Sequence, residues 1–383
     1  MRDVQGFVPE NERAAADTRK ARVDRLRTIV ADIFLGEEHR ELRENIERSF
    51  AVPQVGDYHN EGMFMDSHLG LIVESIEDVA KSEFPAEISP GIREVLTRAV
   101  RRDPESVKKY VFLHDISKAD CLTVKFGEEE RSVTWDEWQA MLSASEHGRK
   151  ALAGDEQALR DFCKEQGVTG VSYFQNEGET KRQHGKVGAE ELRVAEGMDA
   201  AMLAAIESHE VAYQFQGIKA STYEKYFGEM ADDARDFALL ASYVDTMASL
   251  RPDGKPDLVN FLALAESREK SESLAALQRR LDGAKLDKQK FERAWAALRN
   301  SSEPLTADML AEAESKLRME CKLAGYDIAK LRDAVEPLVT NGTLTEEERD
   351  RLLAVAETDP QNIGRAFGPK MRFLSPALKQ AQT

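Results

Sequence analysis

Three features of the sequence predict a mostly α-helical protein. Proline and glycine are sparse, 12 and 23 among 383 residues. Long stretches repeat apolar residues at helical spacing, and β-prone runs gather in one short region. The composition is that of a globular chain, 42% hydrophobic and 7% aromatic, and 32% charged residues fit a wet, helix-rich surface.

The elements follow in order. Residues 1–50 read as an N-terminal helical segment with charged helices over 10–35 and 37–49, and Pro53 and Gly56 then break the pattern. Residues 51–250 read as a helical bundle, with helices over 63–81, 105–118, 199–211 and 232–250. Residues 119–180 form an insertion in that bundle. It opens on a β-hairpin, because the β-prone runs 121–126 and 131–135 flank a four-residue loop containing Gly127. The Arg251-Pro252-Asp253-Gly254-Lys255-Pro256 cluster is the clearest breaker and marks a boundary. Beyond it, 251–383 reads as a C-terminal helical domain with helices over 257–284, 287–299, 306–323, 328–339 and 345–356. Thr345 and Glu348 have capping-box spacing.

Charge narrows the function. Lys plus Arg number 53 against 70 Asp plus Glu, a formal net charge of −17. Such a chain is poorly suited to coating duplex DNA non-specifically, since that affinity comes from clustered cations, whereas a small phosphate ligand in a local basic pocket remains compatible. The three cysteines, Cys121, Cys163 and Cys321, are too few and too scattered for a disulfide framework or a cysteine zinc site, and they fit a reducing, cytoplasmic setting. No run of 18 apolar residues occurs, so no membrane span is expected.

The histidines are the informative residues. His68 borders the apolar stripe Leu69, Val73, Ile76 and Ala80, His114 continues the face of Val107 and Val111, and His209 follows Met202, Ala205 and Ile206. Asp115 adjoins His114, and Asp245 falls on the apolar side of Phe237, Leu240, Ala241 and Val244. A single inward histidine is ordinary core. An inward carboxylate is costly unless paired, and Asp245 has no Lys or Arg three or four residues away. Imidazoles and carboxylates on the inward faces of several helices are satisfied together by a divalent metal, and no thiolate is needed. The C-terminal third has no histidine, so chemistry is not expected there.

His68, the pair His114-Asp115 and Asp245 resemble the H…HD…D signature of the HD superfamily of metal-dependent phosphohydrolases. Phe112-Leu113-His114-Asp115-Ile116-Ser117-Lys118 looks like the family's apolar-HD-[IL]-G-K run. The run from His184 through Gly188 and Ala189 looks like its H-x-x-x-G-A segment, and Ile206-Glu207-Ser208-His209-Glu210 resembles the further histidine element of members with a second metal. Upstream, His59-Asn60-Glu61-Gly62 followed by His68 resembles the entry of the HD domains on bacterial tRNA CCA-adding enzymes. The likeness covers residues 58–250. Departures are Ser117 for the usual glycine, Ser208 before a single His209, and Ser242 where many relatives carry an aspartate, with Asp245 one turn later.

The resemblance implies an HD-type bundle holding one or two divalent ions (Mn, Mg, Ni, Fe or Zn) on His68, His114, Asp115 and Asp245, with His184 and His209 binding a second ion or the phosphate. Asp115 and Lys118 would be catalytic. Lys118, Lys181, Arg182, Lys186, His59 and Glu61 would contact the substrate, a nucleotide or an RNA end with a 2′,3′-cyclic or 2′-phosphate. Competing readings are a solvated surface for Lys181, Arg182 and Lys186, and a plain ion pair of Lys118 with Asp115. At the level of the whole protein, a di-iron HD-type oxygenase and a non-catalytic nucleotide-sensing module are the alternatives. The C-terminal helices could serve in a homo-oligomer. The basic run Arg19, Lys20, Arg22, Arg25 and Arg27 reads as a solvated helix face, with an RNA or partner contact as the lesser reading, and Trp135 and Trp138 read as core.

Overall fold

The computed structural model describes residues 10–56, 60–177, 180–194, 198–282, 284, 286–321 and 325–382, with side chains throughout except at 10–17 and 177. The fold is mostly α with one small antiparallel sheet. The chain forms two compact units. The first takes in the described residues through Ile218 and Thr222–Glu266, and the second Lys219–Ser221 and the described residues from Ser267 onward.

In the first unit α1 (Glu10–Ile33), α2 (Arg40–Ser49), α3 (Met65–Lys81), α4 (Pro90–Arg102) and α5 (Pro104–Leu113) come first. The sheet strands β1 (Leu122–Phe126) and β2 (Glu129–Ser132) follow, then α6 (Trp135–Ala144), α7 (Glu146–Leu152) and α8 (Glu156–Gln166). Next come β3 (Val168–Glu177), β4 (Thr180–Gln183), α9 (His184–Leu192), α10 (Ala200–Ser208), α11 (Ala220–Phe227) and α12 (Asp232–Ala248). The chain passes from the first unit to the second within α13 (Val259–Leu281). Helix starts obey local chemistry. Ser89 accepts a hydrogen bond from the Ile92 amide ahead of Pro90, and Asp103 accepts one from Ser106 ahead of Pro104.

α12 is the central helix. It is buried along nearly its whole length and packs on α3, α4 and α10. Its neighbours supply Leu69, Ile72, Leu96, Met202 and Ile206, all inaccessible or nearly so. Such burial contributes roughly 1.5–3 kcal/mol per large apolar side chain, before the entropy of ordering is set against it.

The expected hairpin is present, but it is half of a larger structure. The four strands run in the order β2-β1-β3-β4, all antiparallel. The second strand stops at Ser132 rather than at Trp135, because Thr134 and Glu137 form a reciprocal capping box that starts α6 instead. Trp138 is core, edge-on to Phe162 with centroids 5.8 Å apart, a geometry worth about 0.5–1.5 kcal/mol beyond area. The basic run on α1 divides: Lys20, Arg25 and Arg27 are exposed, as expected of a solvated face, whereas Arg19 and Arg22 are drawn in against α3. Arg19 and Arg22 donate to the two oxygens of Asp66 at 2.9 and 2.7 Å, and Arg25 and Arg27 reach Glu77 and Glu47. Asp66 is wholly buried in the first turn of α3, two residues before His68, so α1 is tied to the helix that carries a site residue. Burial pushes its carboxyl up, and the two guanidiniums pull it back.

The second unit continues with α14 (Lys288–Asn300), α15 (Ala307–Glu320), α16 (Ile328–Thr340), α17 (Glu346–Thr358), α18 (Ile363–Ala366) and α19 (Met371–Ala381). One apolar cluster joins Leu274, Leu277 and Leu281 to Leu317 and Cys321, and a second joins Leu331, Val335, Leu352 and Leu374. The Thr345–Glu348 capping box forms as expected. Among the described residues no helix is long and apolar enough to cross a membrane.

All three cysteines are buried and unpaired. Burial pushes the Cys121 and Cys163 thiols up to about 12 and also raises Cys321. At pH 8 they are therefore thiols rather than nucleophilic thiolates. A disulfide reagent should release no chromophore from the native protein within minutes and three equivalents after denaturation. Rapid native release would count against this packing.

Candidate metal centre

Two helices end on a site histidine, and this local device builds the centre. The sequence pattern extends one helix to Lys118 and another to Val211, yet α5 stops at Leu113 and α10 at Ser208, each followed by a 3₁₀ turn. His114 follows α5 with its Nδ1 3.0 Å from the Val111 carbonyl, and His209 follows α10 with its Nδ1 2.7 Å from the Ile206 carbonyl. A ring nitrogen facing a carbonyl must donate, which puts the proton on Nδ1 and leaves the Nε2 lone pair free. The side chain thus satisfies a helix-end carbonyl and aims a ligand atom inward in one stroke. His184, the first residue of α9, repeats the pattern with Nδ1 3.4 Å from the Tyr173 carbonyl on β3.

The resulting centre is dense. Asp115 Oδ1 lies 2.9 Å from His184 Nε2 and 3.7 Å from His209 Nε2, and its Oδ2 lies 3.0 Å from His114 Nε2 and 3.7 Å from His68 Nε2. His68 Nε2 is also 3.2 Å from Asp245 Oδ1. These residues are buried, and their ligand atoms fall into two groups that could each hold a metal ion: His68, His114 and Asp115, and Asp115, His184 and His209. Asp115 is common to both.

The donor chemistry fits metal. His184 Nε2 and His209 Nε2 stand 3.2 Å apart with both protons assigned to the opposite nitrogen, so two lone pairs face each other. Two buried acceptors at that distance require a shared cation or proton. Both ring nitrogens of His68, His114 Nε2 and Asp115 Oδ2 lack hydrogen bonds of acceptable geometry. Orphaned polar atoms in a dry centre are expensive, and a divalent ion satisfies several at once.

The electrostatics point the same way. Burial opposes ionisation of Asp115, but His114 and Lys118 beside it, with His184 Nε2 2.9 Å from its Oδ1, hold its carboxyl well below the usual range. Burial likewise opposes ionisation of Asp245, and His68 overrides it. Burial and the neighbouring His184 depress His209, whereas Asp245 raises His68 despite burial.

The other predicted residues separate into two groups. Lys118 is buried, with Nζ 2.9 Å from Asp115 Oδ2 and over the Tyr173 ring at 4.7 Å. Glu61 is also buried, 3.8 Å from His68 Nδ1, and its Oε2 accepts from the Leu250 amide. Lys181 and Arg182, by contrast, lie on β4 and point elsewhere. Lys181 pairs with Glu130 at 2.9 Å and covers the Phe174 ring, and Arg182 pairs with Glu190. Lys186 is exposed on α9 and does not line the site cavity. His59 lies outside the described residues.

Residues not anticipated from the sequence complete the centre. The Tyr213 hydroxyl donates to Asp245 Oδ2 at 3.0 Å, fixing the carboxylate that faces His68. Tyr213 stands four residues after His209, a spacing that could have flagged it. The two unusual serines have structural work: Ser117 donates to the His184 carbonyl at 2.7 Å, and Ser242 to the His209 carbonyl at 3.3 Å. Gly185 must be glycine, since a Cβ there would sit 2.9 Å from the His209 ring and 2.7 Å from the Ile206 carbonyl. A cavity of about 410 Å³ opens over the cluster, lined by His68, Lys118, His184, His209, Tyr213 and Asp245 among others.

No family model, curated protein or solved structure matches the chain.

Asp245→Asn should weaken binding of a divalent ion by about 10-fold or more, and Tyr213→Phe by about 10-fold, since outer partners of metal ligands are worth that much. Calorimetric titration of the metal-stripped protein with Mn²⁺ checks both. Unchanged affinity in both variants would remove Asp245 from the ligand set.

Proposed function

We propose that the protein is a metal-dependent phosphohydrolase of the HD type, acting on a phosphoester of a nucleotide or RNA end. The observation that carries this reading is the pair of buried ligand groups joined by one carboxylate, Asp115, beneath a solvent-accessible cavity. His68, His114, Asp115 and Asp245 would hold one ion, and Asp115, His184 and His209 the second. Bound divalent ions supply a polarised phosphoryl group and a water of lowered pKa, the two requirements of phosphoester hydrolysis.

The chain's own residues divide the remaining work. Lys118 presents a buried ammonium beside Asp115 on the cavity wall, placed to take a phosphate oxygen. Its pKa supports that role: burial lowers it, but Asp115 more than offsets this, so it stays charged. Asp115 fixes the ligand imidazoles and orients the attacking water between the two groups. Tyr213 and Glu61 hold Asp245 and the His68 side of the site in place. In the net reaction water's oxygen bonds to phosphorus, the ester P–O bond breaks, and the departing oxygen takes a proton. The resemblance of 58–250 to HD domains supports the same assignment.

The test is a hydrolysis panel of 2′,3′-cyclic nucleotides, nucleoside mono- and triphosphates and an aryl phosphodiester, run with Mn²⁺, Mg²⁺, Ni²⁺ or EDTA. Turnover should require metal and fall to background in Asp115→Ala, with the helical circular dichroism retained. Metal binding without turnover on any substrate would overturn the reading, and an iron-dependent visible band would favour the oxygenase instead.

A further inference from the structure

A second concavity, of about 660 Å³, lies along α4 and shares no residue with the cavity over the metal centre. One wall is α4 itself. The other is the loop from α3, where Ser82 (φ +64°) turns the chain and Phe84 lies under the Arg93 guanidinium, 5.9 Å from the ring centroid. Helical spacing makes the cluster. Residues four apart share a face, so Arg93, Thr97 and Arg101 form one row and Glu94, Arg98 and Arg102 the next.

The charges of this cradle are unbalanced. Four arginines line it against one acid, Glu94. Asp236 of α12 takes Arg98 at 2.9 Å without lining the cavity, so two positive charges remain in excess even when it is counted. Arg93 donates only to main-chain carbonyls, those of Pro85, Ala86 and Ile88. Arg101 and Arg102 are exposed, and neither has a carboxylate partner among the described residues. Arg19, Arg22 and Lys181, by contrast, are all committed to carboxylates. The helix dipole favours cations in the last turn, which suits Arg101 and Arg102. It disfavours Arg93 in the first turn, so the dipole does not account for the set. In a chain of formal net charge −17, such a cluster is an exception.

The chemistry and the spacing define a ligand. A guanidinium offers paired N–H donors that match the oxygens of a phosphate. Arg93 and Arg101 are eight residues apart, about 12 Å along the helix axis, too far for one phosphate group to engage both. Thr97 stands midway on the same row, and its hydroxyl makes no hydrogen bond among the described residues. The volume is that of a small-molecule site. We propose that this cradle is a second ligand site, which takes a small molecule carrying two or more phosphoryl groups and binds it without a metal ion. Arg101 and Arg102 hold one phosphoryl group, Arg93 and Thr97 receive the other, and Glu94 limits the affinity. The assignment is independent of the reaction performed at the metal centre.

The experiment is calorimetric titration of the full chain in EDTA with tripolyphosphate, fructose 1,6-bisphosphate, orthophosphate and a single-stranded oligonucleotide. The first two probes distinguish contiguous from separated phosphates. At least one of them should bind about 10-fold or more tightly than orthophosphate, because two linked groups engage two ends of one site. The exposed pair Arg101→Gln/Arg102→Gln should lower that affinity by about 10-fold or more with the helical circular dichroism retained. Glu94→Gln should raise it several-fold, since an acid in the cavity opposes phosphate, and a purely structural effect would not give that sign. Binding unmoved in the double arginine variant would place the anion elsewhere and overturn the inference. So would affinities equal to that of orthophosphate, or no binding by either multiply phosphorylated probe. An oligonucleotide that binds more tightly than both, and is lost in the same variant, would overturn the small-molecule assignment in favour of a nucleic-acid strand.

Discussion

A carboxylate taken out of water needs positive charge or hydrogen bonds around it, and Asp115 is almost completely buried. Its two oxygens are approached by four imidazoles and one ammonium, contributed from α3, the end of α5 and the turn after it, α9 and the end of α10. Each of those elements has to arrive at a fixed angle. The fold meets this demand by pinning the ring nitrogens to main-chain carbonyls and by using serines where a larger or more acidic residue would change the geometry. Helix ends, sheet and central helix are arranged about one anionic group.

The same constraint shows how the parts depend on each other. β3 contributes no ligand, yet its Tyr173 carbonyl orients His184 and its Tyr173 ring shields Lys118. α1 lies outside the site, yet Arg19 and Arg22 neutralise Asp66 at the base of the helix that bears His68. The insertion and the N-terminal helix thus act on the centre through single, identifiable contacts.

Much of this was legible in the sequence, for definable reasons. Helical periodicity exposes His68, His114, His209 and Asp245 as polar residues on apolar faces, and the structure gathers them with Asp115 and His184. Periodicity cannot show where a helix stops when the terminator is a side chain folding back on its own carbonyls, as at His114 and His209. Nor does it show strands β3 and β4, whose pairing with distant β1 decides their state more than local propensity does. Local charge was the least informative signal. The cations of α1 and β4 look alike in sequence, and both are committed to carboxylates far along the chain, Asp66 and Glu130 among them.

Lys181 and Arg182 have a consequence of a different kind. They sit on β4, one outer strand of the sheet, and the other outer strand, β2, carries Glu129, Glu130 and Arg131, all exposed. An open sheet edge offers unpaired amides and carbonyls to any passing strand, and charged side chains along it are a common protection. The sheet therefore has both margins lined with charge, and the Lys181–Glu130 pair links them. Lys181 and Arg182, which in sequence resemble a phosphate-binding run, thus stand on an outer strand of this small sheet, where charge disfavours pairing with strands of other molecules.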